Sequence, residues 1–222
     1  ASMLIQAATN MFNEYYDFKR GLDTEDSVGI GGTIVRHGVS PRTIMLIALS
    51  FYGIAMLLGI YICANSSWWL VAIGLLCMLI GFLYTGGPYP IAYSPFGELV
   101  SGFVMGMGIV LISFYLQTST VTLDAVLISV PSMILVGAIM LANNIRDIVG
   151  DTEGGRKTMA ILVGRHNAIT ILAAFFIVSY LWILCLILFN GLTPFALLIF
   201  LSVKKPINAI KLFRTKQQPQ EV

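Results

Sequence analysis

The sequence is poor in charge. Asp, Glu, Lys and Arg make up 11% of its residues, against about 25% in an ordinary soluble domain. A water-soluble globule of this length would need more, so that class is excluded. The balance of 13 basic against 11 acidic residues leaves a net charge of +2. That is too little for a polyanion-binding surface, and no nucleic-acid partner is expected. Cysteine is scarce as well: Cys63, Cys77 and Cys185 lie in or at the ends of apolar runs, with no CxxC pair. They read as small hydrophobes rather than redox or metal groups. The two histidines, His37 and His166, fall in separate loops with no ligand-like spacing, which argues against zinc. The opening ASMLIQAATN has no basic stretch and no cleavage signal. It reads as the exit half of a membrane helix rather than a signal peptide. With the polar ending KQQPQEV, the chain is expected to be a piece of a longer protein.

What is abundant is apolar sequence, 57% of the chain. Crossing about 30 Å of hydrocarbon takes roughly 20 such residues. Candidate spans are Thr43–Ala64, Trp68–Tyr84, Gly97–Leu116, Leu123–Ala142 and Ala168–Phe189, with a shorter Leu192–Val203 and the half-span Ser2–Tyr16. The expected fold is all-α, a polytopic transmembrane helical bundle forming one partial domain over residues 1–222, with seven full or partial spans. Ser40-Pro41, Ser94-Pro95 and Thr193-Pro194 each place a capping hydroxyl before a proline suited to the first helical position. Pro131 falls inside a span and is expected to kink it, with a neighbouring helix satisfying the carbonyl it frees.

The basic residues are one-sided. With seven spans, every Lys and Arg falls in 17–42, 146–167 or the tail after 203, on the same side as 85–96. The loops near 65–67, 117–122 and 190–191 carry none. The positive-inside rule makes the basic side cytoplasmic.

Acids within or beside spans are costly and therefore informative. The first cluster, residues 10–26, reads N-M-F-N-E-Y-Y-D-F-K-R-G-L-D-T-E-D. At 100° per residue, Asn10, Asn13, Glu14 and Asp17 share about a third of a helix circumference. The second, residues 143–158, contains Asn144, Asp147 and Asp151, which repeat the three-then-four spacing of Asn10, Asn13 and Asp17. Each cluster closes a span and enters a Gly-containing loop, GGT at 31–33 and GGRKT at 154–158. Hard amide and carboxylate oxygens at helical spacing suit Mg²⁺. Lys19, Arg20, Arg36, Arg146, Arg156 and Lys157 come from the same segments, and interleaved acids and bases fit a metal-bridged diphosphate. Glu98 and Asp124 read as acids complementing the first turn of a helix. Glu25, Asp26, Arg165 and the basic tail read as solvated loop charge.

The two clusters resemble the aspartate-rich motifs of the UbiA superfamily of membrane prenyltransferases. Residues 10–23 look like the first motif, and 143–158 with the following MAILVGR look like the second. L83-Y84-T85-G86-G87-P88 resembles the segment between the family's fourth and fifth helices. The resemblance runs along essentially the whole chain. Two departures stand out: Glu14 replaces a usual Asp, and the next acid, Asp23, follows Asp17 by six residues rather than four. That spacing is most like the branch that prenylates 1,4-dihydroxy-2-naphthoate in menaquinone synthesis. The family has nine helices, so the first, part of the second and the last are expected to be missing.

The resemblance implies a Mg²⁺-dependent aromatic prenyltransferase. Asp17, Asp147 and Asp151 would be catalytic. Asn13, Asp17, Asp23, Asp147 and Asp151 would bind the metal. Lys19, Arg146, Arg156 and Lys157 would hold a polyprenyl diphosphate, and Asn10, Tyr84 and Asn144 would line the pocket. Partners would be the prenyl diphosphate, an aromatic acceptor and the lipid bilayer, with the site on the cytoplasmic side of a bacterial plasma membrane. Two alternatives stand beside this reading: the same scaffold with a hydroxybenzoate, homogentisate or tetrapyrrole acceptor, and a cation-coupled transporter. A transporter would want its acids near the midplane. A soluble-type isoprenyl synthase would need a DDxxD motif, which is absent.

Overall fold

The computed structural model describes residues 1–23 and 32–216; Glu25, Asp26, Gly31 and Glu221 lie outside them. All regular structure among the described residues is helical. The chain divides into two compact units, Ala1–Ser94 with Glu153–Arg156, and Pro95–Thr152 with Lys157–Val222.

In the first unit, α1 (Ser2–Lys19) packs against α3 (Pro41–Ala64) and α4 (Leu70–Leu83). Ala8 and Ala48 are fully buried, and small side chains there let α1 and α3 approach closely. Phe12, also fully buried, sets its ring edge-on to Tyr52 at 5.1 Å and Phe82 at 5.4 Å. The Tyr52 hydroxyl donates to the Met78 carbonyl of α4 at 2.9 Å, so the apolar contact carries no stranded polar group. The expected cap on α3 is present: Ser40 Oγ accepts from the Thr43 amide at 3.2 Å, with Pro41 at the first position. α1 ends where K-R-G-L falls. Gly21 takes φ +74°, its amide donates to Phe18 O, and the Leu22 amide donates to Asp17 O at 2.9 Å. This is a Schellman closure, and it ends α1 within four residues of Asp17.

In the second unit, α5 (Gly97–Ser101), a π-helical stretch Gly102–Gly108 and α6 (Ile109–Thr118) follow one another as a single span, Gly97–Thr118. It packs along α7 (Leu123–Arg146). The spacing Gly102-xxx-Gly106 makes this possible: a Cβ on either residue would come within 2.6 Å of Met133 or Ser132 backbone. α8 (Ile148–Glu153) and α9 (Met159–Val163) lead into α10 (Arg165–Phe189), a 3-10 helix Pro194–Ser202 and α11 (Lys204–Thr215). Leu141, Ile145, Ala160, Ala168, Leu172 and Phe213 form the core.

Pro131 stands inside α7 and cannot donate to Leu127 O. Trp182 Nε1 of α10 donates to that carbonyl at 2.9 Å, so the freed acceptor is satisfied by a neighbour, as expected. Ser94 differs from expectation. α5 starts only at Gly97, and Ser94 Oγ instead donates to Ile91 O, closing the 3-10 turn Ile91–Tyr93. Pro90 sets extended backbone ahead of that turn, and the position before α5 is taken by Phe96 rather than Ser94.

Among the described residues, four helices are long and apolar enough to cross a membrane: Pro41–Ala64, Gly97–Thr118, Leu123–Arg146 and Arg165–Phe189. Leu70–Leu83 is apolar with 14 residues. Large side chains such as Leu46, Leu57, Leu181 and Leu188 point outward and exposed, as lipid-facing residues must. The chain is an integral membrane protein.

Candidate active site

Asn10, Asn13 and Asp17 rise along α1, with Lys19 in its last turn. Asn13 Oδ1 accepts from Thr85 Oγ1 at 2.6 Å, and Thr85 is itself buried. Asn10 is exposed and takes a hydrogen bond from Gln6. Asp17 Oδ1 accepts from Arg156 Nη2 at 2.7 Å. Arg156 belongs to the Gly-containing loop after the second motif, and Glu153–Arg156 is the stretch of that loop assigned to the first unit. The loop therefore delivers its arginine to the first motif's aspartate.

Asp23 lies two residues beyond the glycine that closes α1, near enough to Asp17 and Glu14 to feel their charge. Burial pushes the Asp23 carboxyl up to about 6, and the nearby Asp17 and Glu14 carboxylates add to the effect, against Arg156 and Arg36. Crowded acids of this kind have a use for a cation. Glu14 has a separate, structural role. It is buried, and its Oε1 accepts from the Ile34 amide at 2.8 Å, in the first turn of α2 (Thr33–His37). A carboxylate suits the orphan amides of a helix start.

Arg20 draws the 85–93 segment onto the end of α1. It donates to Thr85 O at 2.6 Å and Gly87 O at 3.2 Å, and its guanidinium lies over the rings of Tyr16 at 5.3 Å and Tyr93 at 5.2 Å. Arg156 lies over Tyr93 as well, at 5.3 Å. Tyr93 is thus a shared aromatic platform for two guanidinium groups. Tyr84, 9% exposed, ends α4 and its carbonyl accepts from Ala92.

In the second unit, α7 ends at Arg146. Arg146 grips Asp147 bidentately, Nε to Oδ1 at 2.8 Å and Nη2 to Oδ2 at 2.6 Å. Asp151 lies one turn further on in α8, is buried, and its amide donates to Asp147 O. Asn144 Nδ2 donates to Glu98 Oε1 at 2.8 Å. Lys157 is exposed, and Thr158 beside it is buried at the start of α9.

Several residues that hold these parts do not stand out in the sequence pattern. Arg165 is not solvated loop charge: it donates to Ile145 O at 2.7 Å, Phe213 O and Lys216 O, tying the end of α7 to α11. Glu98 does sit in the first turn of α5, yet it is 2% exposed and bonded to the second motif, which a purely dipolar role does not require. Thr85 and Tyr93 carry no local signal, because their partners are remote in the chain, and Arg20, which the sequence groups with the diphosphate cations, is bonded instead to Thr85 O and Gly87 O. The donors available to a cation are all oxygens. Among the described residues no three carboxylate, imidazole or thiol groups converge into a ready-made cage.

Comparison with known proteins agrees with this architecture. The chain belongs to the UbiA prenyltransferase family, whose model matches residues 1–221. It is 60% identical over 218 residues to the 1,4-dihydroxy-2-naphthoate octaprenyltransferase of Bacillus subtilis (strain 168), covering 98% of this chain and 70% of that protein. It is 32% identical over 155 residues to the enzyme of the same name from Mycobacterium tuberculosis, covering 70% of this chain and 53% of the relative. The UbiA prenyltransferase domain-containing protein 1 of Mus musculus is 27% identical over 189 residues, covering 82% and 54%. The chain thus spans about half the length of the last two relatives. No solved structure matches it.

Proposed function

We propose that the protein transfers a polyprenyl group from a prenyl diphosphate to 1,4-dihydroxy-2-naphthoate, yielding demethylmenaquinol. The bond from the allylic carbon to diphosphate breaks, a carbon–carbon bond to the aromatic ring forms, and the ring carboxylate leaves as CO₂. The observation that carries the reading is the pairing of acid with arginine in both motifs, Asp17 with Arg156 and Asp147 with Arg146. Each pair joins an anion suited to a metal to a cation suited to phosphate, which are the two groups a metal diphosphate must meet. The naphthoate acceptor is supported by the Bacillus relative.

Mg²⁺ fits the donor set. Asn13, Asp17 and Asp23 in the first unit, and Asp147 and Asp151 in the second, are hard oxygen donors. Mg²⁺ is held by one or two carboxylates with substrate phosphates and water, so a closed protein cage is not needed. When bound, the metal neutralises charge developing on the diphosphate leaving group. Asp17 and Asp147 release their arginines toward phosphate oxygens, and the planar guanidinium of Arg146 or Arg156 can take two oxygens at once. Lys19 and Lys157, both exposed, add point charges for the diphosphate. Asn10, Tyr84 and Asn144 line the substrate pocket. The site faces the basic, cytoplasmic side of a bacterial plasma membrane, with the prenyl tail among apolar helices.

Membranes containing the protein, given dihydroxynaphthoate, hydroxybenzoate or homogentisate with a prenyl diphosphate and Mg²⁺, test this by mass spectrometry. A decarboxylated prenyl naphthoquinol is the expected product. Product from another acceptor alone would refute the assignment.

A further inference from the structure

Glu98 is an acid that neither motif contains. It is 2% exposed; Oε1 accepts from Asn144 Nδ2 at 2.8 Å, while Oε2 is buried with no hydrogen-bond partner among the described residues. Such a group costs stability in either protonation state. Ionised, it is a charge removed from water; protonated, it is a donor with nothing to receive it. An exposed acid would complement the start of α5 without that penalty, so the helix dipole does not account for the burial.

The packing explains how Glu98 reaches Asn144. A Cβ on Gly137 would stand 3.2 Å from Glu98 O, so the start of α5 lies tight against α7. Asn144 follows Gly137 by seven residues, two turns along the same face. Gly102 and Gly106 extend the close approach to Met133. The crossing of the two helices therefore brings a carboxylate to Asn144 in the second motif.

An asparagine amide can be turned by half a revolution at little intrinsic cost, and its neighbours decide which end faces where. A carboxylate only accepts. It draws Nδ2 toward itself, and Oδ1, on the other branch of the same carbon, is turned away. We propose that Glu98 is a positioning residue which locks the Asn144 amide so that Oδ1 is presented as an oxygen donor to the magnesium diphosphate of the second motif. This rests on the proposed function. Glu98 does not touch substrate. It acts through Asn144, as outer partners of metal ligands do.

The test measures equilibrium binding of farnesyl diphosphate to the detergent-solubilised protein across a Mg²⁺ titration, with thermal unfolding recorded for each variant. Glu98→Gln keeps an acceptor oxygen for Nδ2. Glu98→Met keeps the volume and removes it. Glu98→Met is expected to weaken Mg²⁺-dependent binding by about tenfold or more, and Glu98→Gln by less than about threefold. Asn144→Asp puts two acceptors face to face and is expected to weaken binding too. Combining it with Glu98→Gln restores a donor and an acceptor in reversed polarity and is expected to recover binding, which keeps the proposal testable if Glu98→Met does not fold. Parental binding by Glu98→Met, equal loss in Glu98→Gln, or no recovery in the double variant overturns the proposal. A protein that binds farnesyl diphosphate with Mg²⁺ but does not prenylate dihydroxynaphthoate refutes the acceptor assignment, and the binding series still judges Glu98. Absence of Mg²⁺-dependent binding in the parent overturns both.

Discussion

Replacing Arg20 by Met should loosen the 85–93 segment and lower stability substantially. The charge-assisted bond to Thr85 O is short, 2.6 Å, and Thr85 is 2% exposed, so water does not readily replace the donor. Its loss costs about 2 kcal/mol, and the 3.2 Å bond to Gly87 O adds ~1 kcal/mol. The two cation–π contacts, to Tyr16 and Tyr93, contribute ~0.5 kcal/mol each at a half-exposed site. The total is about 4 kcal/mol, or a fall in melting temperature of roughly 10 °C at roughly 2–4 °C per kcal/mol for a chain of this length. The buried thiol of Cys63 offers an assay: its labelling by a thiol-reactive dye in detergent reports unfolding. Arg20→Lys keeps one bond to a carbonyl but not the flat double stacking, and should fall about halfway between. Since Thr85 also orients Asn13, Arg20→Met should weaken prenyl diphosphate binding as well. A melting temperature within about 1 °C of the parent would refute the reasoning, because four contacts of this geometry cannot all be worth nothing.

Three further outcomes are expected. Asp17→Asn and Asp147→Asn should each lower Mg²⁺-dependent prenyl transfer by at least about a hundredfold, measured as diphosphate release, since each removes the anion that a metal needs. Trp182→Phe should destabilise the protein by ~1–2 kcal/mol by stranding Leu127 O, and should cost much less in a Pro131→Ala background, where the backbone amide of residue 131 can take that carbonyl; a double-mutant cycle on thermal unfolding reads the difference. Gly106→Ala should sharply reduce folded yield, because its methyl would lie 2.5 Å from Met133 Cα and only the backbone can move aside.

Local periodicity and the solvent make the helices and their orientation legible from the amino acids alone. Lipid admits only helices and closed barrels, and apolar runs of about 20 residues are helices, so the long spans were legible from hydropathy, and their orientation from the one-sided Lys and Arg. Asn13 and Asp17 could be placed on one face because helical spacing is local. The need for a neighbour to satisfy Leu127 O behind Pro131 was likewise written in a short stretch.

Which remote partner each polar group takes depends on how the chain folds. Arg156 meets Asp17 across 139 residues, Thr85 meets Asn13 across 72, and Glu98 meets Asn144 across 46. Ser94 shows the same limit at short range, donating to Ile91 O where a helix cap was expected. Periodicity needs only the correct side of a helix, a tolerance of several ångströms. A hydrogen bond needs placement to within a few tenths of an ångström, and that comes from close helix crossings such as Gly102 and Gly106 on Met133, whose geometry exists only once the chain has folded.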